Sequence, residues 1–322
     1  MKCKWIKKLT AGIIFLAAVG SLSGCQKAAT SENLFRDIEV NMTSVESAEE
    51  NQIVKLQMGD GDSAISQESN LDIEMTRDPA AVHRKGQQKT NMAGTKETQE
   101  MESYQVEEDG KTVIYSGTDE AWEKNAVEEK ETSSQQTVLF NGLQNLSGAF
   151  SVSQDLATVN KEECFELTGT ISGTQFQETF ADTLKALLGE DSSDLSGWNL
   201  QASEDEENNE ELQQKLNNVK VDCVIDIYRN NILPAKITFD LTDYLKAAGE
   251  ENAQVTSYTL EVTFVSYNDT KKIKVPKAVK ESAKDNGEDE AENSTDEMLE
   301  EENQEATAEA EAAKGIQSDI EG

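Results

Sequence analysis

Apolar positions change period several times along the chain, and each change marks an element. Leu34, Ile38, Met42 and Val45 in LFRDIEVNMTSV recur at helical spacing and predict a first helix. The period then falls to two in IVKLQM, NLDIEMT, TQEMESYQVEE and KTVIYSG, which predict antiparallel strands wet on one face, separated by turn-rich GDGDS and EEDG. Met58, Met75 and Met101 fall on their inward sets, where a flexible thioether fills irregular space. Helical spacing returns in QQTVLFNGLQNLSGAF, with Leu139, Leu143, Leu146 and Phe150 on one stripe. ATVNKEECFELTGTI predicts one strand. TQFQETFADTLKALLG predicts a second striped helix carrying Phe176, Phe180, Leu184, Leu187 and Leu188 and ending at Gly189.

Residues 190–218 are acidic and mostly polar, and predict an excursion outside the core. NVKVDCVIDIY, the turn RNN and ILPAKITFDL predict a hairpin, while VTSYTLEVTFVSY and KKIKVPKAV predict the last two strands, with Pro234 and Pro276 at the strand starts or edges that proline tolerates. Residues 280–322 have too few apolar side chains to offset ordering and predict a disordered acidic tail. The pattern therefore divides the chain into residues 1–24, a polar tether at 25–33, one domain over 34–279, and the tail. An alternating sheet needs a cover on its apolar face, and the two striped helices supply it, which makes the expected class α+β.

The first 24 residues have their own logic. Lys2, Lys4, Lys7 and Lys8 precede an apolar run from Leu9 to Val19, the layout of a secretory signal. That run is shorter than the roughly 20 residues needed to span a bilayer. Leu22, Ser23, Gly24 and Cys25 follow, and this stretch resembles the bacterial lipobox. In that family of signals the Cys thiol takes a diacylglyceryl group and the chain is cut just before it, which makes Cys25 the lipidated amino terminus. Each buried methylene contributes about 0.8 kcal/mol, so two or three acyl chains form a durable anchor. The resemblance implies a protein on the outer face of the bacterial cytoplasmic membrane, tethered by lipid.

Charge narrows the partners. The chain has a formal net charge of −34, and without the four signal lysines 25 basic residues face 63 acidic ones. Such a surface repels phosphate backbones and excludes nucleic acid as a natural partner. His83 is the only histidine, so a His-based triad or a two-His zinc site is excluded by count. It sits among basic residues in RDPAAVHRKGQQK, which reads as a loop. Asp60 and Asp62 in GDGDS have calcium-like spacing without the closing Glu of a twelve-residue loop, so the segment reads as a hairpin turn. Trp122 follows a strand and Trp198 lies in the acidic excursion, each a core or rim position. No phosphate loop, nucleophile elbow or Cys-x-x-Cys pair is present, and the expectation is a monomeric non-enzyme without cofactor or metal. Period two sets Cys164 and Cys223 on opposite faces of the sheet, which predicts two free thiols.

Residues 219–279 resemble the closing half of the LolA and LppX type of lipoprotein carrier. The carrying residues are VKVDCVIDIYRNNILPAKITFDL, with its turn before Leu233-Pro234, and FVSYNDTKKIKVPKAV, where Phe264, Tyr267 and Asn268 precede Val275-Pro276. The resemblance implies a strongly curved antiparallel half barrel with helices on its concave face around an apolar cavity. It further implies a lipophilic ligand. The inward residues that would line the cavity are Leu139, Leu143, Leu146, Phe176, Phe180 and Leu184 from the helices, with Val221, Ile225, Phe239, Leu260 and Phe264 from the sheet. A second reading stays open: the same scaffold with a solid core, an interaction lipoprotein presenting its acidic surface and tail to a basic partner or to cations.

Overall fold

The computed structural model describes residues 29–59, 64–92, 94–118, 121–127, 142–188, 206–248 and 255–285. Cys25, Asp60, Asp62, Leu139 and Trp198 lie outside them, as do the signal and the tail beyond 285. Thr30 opens helix α1 (Ser31–Met42) by accepting a hydrogen bond from the Asn33 N–H at 3.3 Å. Leu34, Phe35, Ile38 and Met42 face inward; Val45, beyond the helix end, is buried with them.

A meander follows: β1 (Ser47–Met58), β2 (Ile65–Arg77), β3 (Ala80–Met92), β4 (Thr95–Glu108), β5 (Lys111–Thr118) and β6 (Ala121–Val127), each antiparallel to the one before. Asp109 and Gly110, at φ 52° and 77°, make the two-residue β4–β5 turn that Asp-Gly favours. The RDPAAVHRKGQQK segment is a correction to the loop expected there. Pro79 stands in the turn before β3, where its missing N–H costs nothing, and the polar chain after it pairs along its whole length with β2 and β4.

The second half adds α2 (Leu143–Leu146), a 3-10 turn (Ser147–Ala149), β7 (Phe150–Val152), β8 (Ala157–Val159), β9 (Glu162–Ser172), α3 (Gly173–Leu188), α4 (Glu206–Asn217), β10 (Lys220–Tyr228), β11 (Pro234–Asp240), α5 (Thr242–Ala248), β12 (Val255–Tyr267), α6 (Lys277–Ser282) and β13 (Ala283–Asp285). Four further expectations are corrected here. The striped helix through Phe150 shrinks in the described residues to one turn after Gly142, and Phe150 begins a strand. The strand expected over ATVNKEECFELTGTI is two, because Asn160 and Lys161 take φ 51° and 70° and turn the chain back; the Asn160 amide then donates to Tyr228 Oη and the Phe264 carbonyl, both at 2.8 Å. The acidic excursion returns to the core through α4, whose Leu216 is fully buried. Gly173 permits this, since a Cβ there would lie 2.8 Å from the Leu216 carbonyl oxygen. KKIKVPKAV is no strand: Pro276 caps the start of α6, and the stretch before it belongs to no strand of the sheet.

The strands join in the order β13-β6-β5-β4-β3-β2-β1-β12-β11-β10-β9-β7, with β8 on β9. Among the described residues every pairing is antiparallel except β13 with β6. The sheet is open, with β13 and β7 at its ends, and the α+β class stands as expected. Side chains from α1, α3, α4 and α5 pack on one face, against β9 to β12 and β1, in the main core. The other face is covered elsewhere: residues 268–285 return across β4 to β6 as a strap, setting Ile273, Val275, Val279 and Ala283 against Tyr104, Val113, Tyr115 and Trp122. Trp122, expected after a strand, is thus a buried residue within one. Met101, expected inward, is exposed at 37 %, and among the described residues none covers the Thr95–Met101 half of β4.

Candidate functional site

Period two places Val221, Cys223 and Ile225 of β10, Ile237 and Phe239 of β11, and Leu260, Val262 and Phe264 of β12 on the helix-covered face. The helices answer with Leu143, Leu146, Phe176 and Phe180. Nine of the eleven residues expected to line a cavity therefore meet in one continuous apolar cluster, each nearly fully buried. Leu139 lies outside the described residues, and Leu184 belongs to α3 with its side chain likewise outside them. At the α3 end the rings pack on one another: Phe176 meets Phe239 at 5.3 Å and Tyr244 at 4.9 Å, and Phe180 meets Phe239 at 4.9 Å, all edge to face. Burial pushes the Tyr244 hydroxyl up to about 12.

The same face continues from β12 across β1 to β3, and its character changes there. Leu56 and Val54 of β1 belong to the apolar cluster, but the next inward positions are Gln52 and Glu50. Both are buried to 1 % exposure. They lie in apolar rows: Glu50 pairs with Phe264 and Ile73, and Gln52 with Val262 and Leu71. Ile73, Met75, Val82 and Ala48 make a smaller cluster beside them. Arg84 of β3 lies one strand beyond Ile73 and its charge draws on Glu50, yet burial dominates and pushes the Glu50 carboxyl up to about 8. The sequence carries a signal for this pair. Extending the inward set of IVKLQM backward by twos from Val54 reaches Gln52 and Glu50.

The residues that carry the family resemblance work as a latch. Tyr267 Oη donates to the Pro234 carbonyl and Tyr228 Oη to the Phe264 carbonyl, each at 2.8 Å. Asn268, at φ 61°, accepts from the Glu46 N–H at 2.7 Å. These bonds tie the end of β12 to β11 and to the start of β1, at the border between the two apolar clusters.

A polar cavity of about 360 Å³ lies on the opposite face, between the strap and the sheet. A cross-strand row of Glu49, Glu74, His83 and Tyr104 forms its floor, and Asp269 with Lys271 to Lys274 line the rest. His83, expected in a loop, is here a strand residue stacked on Tyr104 at 4.3 Å, with Glu74 at 3.2 Å from Nδ1 and Glu102 at 2.9 Å from Nε2. Burial pushes Glu102 up, but hydrogen bonds from His83, Lys85 and Tyr104 outweigh it and hold the carboxyl below the usual range. Cys164 and Cys223 are free thiols on opposite faces, as expected, although Cys164 is buried too, beside Val159, Tyr228 and Ala235. No helix among the described residues is long and apolar enough to cross a membrane.

A match to a family described as of unknown function, DUF6612, covers residues 30–284. The chain belongs to DUF6612. No curated protein matches it in sequence. Among solved structures, this DUF6612 chain is similar to LprF from Mycobacterium bovis, with 11 % identity, a TM-score of 0.42, and 76 % of this chain and 96 % of that one covered. It is similar also to the Mycobacterium tuberculosis lipoprotein LppX, with 13 % identity, a TM-score of 0.40, and 76 % and 98 % covered. A LolA superfamily protein from Nitrosomonas europaea matches with 9 % identity, a TM-score of 0.21, and 78 % and 97 % covered.

Proposed function

We propose that the chain is a lipid-anchored extracytoplasmic binding protein that holds a lipophilic ligand between its open sheet and its helices. One observation carries this reading. The inward face runs on past the helix-packed core as a further apolar surface, with Ile73, Met75 and Val82 around two buried polar groups that find no hydrogen-bond partner among the described residues. An interior built only for stability would close with apolar side chains there. Cys25 supplies the anchor, and the short tether keeps the binding face close to the bilayer from which a ligand would come. A second reading has its own support: the edge-to-face rings of Phe176, Phe180, Phe239 and Tyr244 fill the α3 end of the interior, as an interaction lipoprotein with a solid core requires. One experiment separates the two. The chain from residue 26 onward, purified without detergent, is expected to carry an extractable lipid and a matching adduct in native mass spectrometry; a bare mass from repeated preparations supports the solid core.

A further inference from the structure

Glu50 Oε1 and Oε2 and Gln52 Oε1 and Nε2 are all buried without a hydrogen-bond partner among the described residues. More than nine in ten buried polar groups in folded proteins are paired. Leaving one unmade costs about 1–3 kcal/mol. Here two neighbouring inward positions of one strand, about 6.6 Å apart along it, are unpaired together. Their cross-strand neighbours, Phe264, Val262, Ile73 and Leu71, are apolar, and beyond Ile73 in the same row Arg84 sets its charge against Glu50. The geometry points to a polar subsite at Glu50 and Gln52 that receives the hydroxyl-bearing head of an uncharged acyl lipid, with the acyl part along the apolar face. This deepens the binding reading above and rests on it.

The chemistry of the head follows from the donors and acceptors. Burial keeps the Glu50 carboxyl in its neutral form at neutral pH, so it offers one O–H donor and a carbonyl acceptor. Gln52 offers two N–H donors and one acceptor. Neither group carries charge, and each both gives and takes. Hydroxyl groups are themselves donor and acceptor and satisfy such a pair completely. A carboxylate or fully ionised phosphate only accepts: the Arg84 charge would draw it, but it would leave the Gln52 carbonyl oxygen unmatched, which is why phosphatidic acid is among the competitors in the test. A quaternary ammonium head has no donor and brings an uncompensated charge. Vicinal hydroxyls occur on glycerol and on sugars, so the same chemistry has two sources.

The test uses the full mature chain reconstituted in phosphatidylcholine vesicles with a diazirine-tagged dioleoylglycerol. After photolysis, peptide mapping locates the crosslink, and four unlabelled lipids compete for it: dioleoylglycerol, its monoglucosyl derivative, trioleoylglycerol and dioleoylphosphatidic acid. Crosslinking on the β1–β3 inward face is expected, with either hydroxyl-bearing lipid competing at least about tenfold better than the other two. The stronger of those two identifies glycerol or sugar as the source. Replacing both residues, Glu50→Leu with Gln52→Leu, is expected to equalise the competitors and raise the thermal midpoint of the lipid-free protein, while Glu50→Gln keeps the preference. Should the double variant not fold, the wild-type order of competitors decides alone. Crosslinking with equal competition, or with phosphatidic acid ahead, overturns the hydroxyl subsite and leaves the binding reading intact. No crosslink to the interior overturns both.

Discussion

Glu50 is expected to make stability depend on pH, since burial pushes its carboxyl up against the opposing Arg84 charge. Its folded-state value of about 8 lies above the ordinary 4.5, so the folded chain binds the proton more tightly than the unfolded one. The stability it contributes is full below about pH 4.5 and is lost as pH rises through about 8. Asp226, pushed up to about 6 by burial and then by the Glu166 charge, acts with the same sign over the lower part of that range. Urea unfolding is therefore expected to show stability falling from about pH 5 to pH 8, by on the order of 4 kcal/mol from Glu50. Glu50→Gln should flatten most of that slope; an unchanged slope would mean that the carboxyl is solvated in the folded protein. Asn268 is the second residue with a measurable consequence. It joins a left-handed backbone to an acceptor for the Glu46 N–H, so Asn268→Ala loses both and is expected to cost about 1–3 kcal/mol in denaturant unfolding. Asn268→Gly should restore only the backbone share.

Among the elements, the strap is the one that a sequence pattern conceals. Ile273, Val275 and Val279 alternate too irregularly for a strand and too sparsely for a helix, because they cover a surface that other strands build. What fixes the strap is tertiary: Val279 sits against the Tyr104–Tyr115–Trp122 cluster, and Lys280 pairs with Glu108 and lies over the Tyr115 ring. Val279→Asp is expected to release it, with faster amide exchange in β5 and β6 and a red-shifted Trp122 emission, while exchange in β10 to β12 stays slow. Equal loss of protection in both halves would show that the strap and the main core unfold as one unit. By contrast, α1, α3 and β10 to β12 were legible in outline, since each buries one stripe or one alternate face and the period survives in its residues. β3 was not legible because most of its residues are half-wet, so no apolar alternation marks the strand that its pairing with β2 and β4 forms. The inward residues of the main core could be named from their spacing. The unpaired polar groups could not, since nothing in a sequence shows that Glu50 lacks a partner.

On the scale of the whole molecule, the described residues begin and end at opposite edges of the sheet. The chain enters through α1, where Ser31 donates to the Ser147 carbonyl at 2.8 Å just ahead of β7, and it leaves through β13 beside β6. Cys25→Ala is expected to abolish incorporation of labelled fatty acid and to leave unprocessed precursor; continued labelling would show that the lipid is attached elsewhere. The placement of β13 also has a mechanical side. Three residues paired in parallel with β6 stand between the acidic tail and the rest of the fold, followed inward by the single buried Val279. Tension applied at the tail would be taken up there first, as a peeling load on a short ladder, and the strap would come away from the sheet before the helix-packed core felt any force.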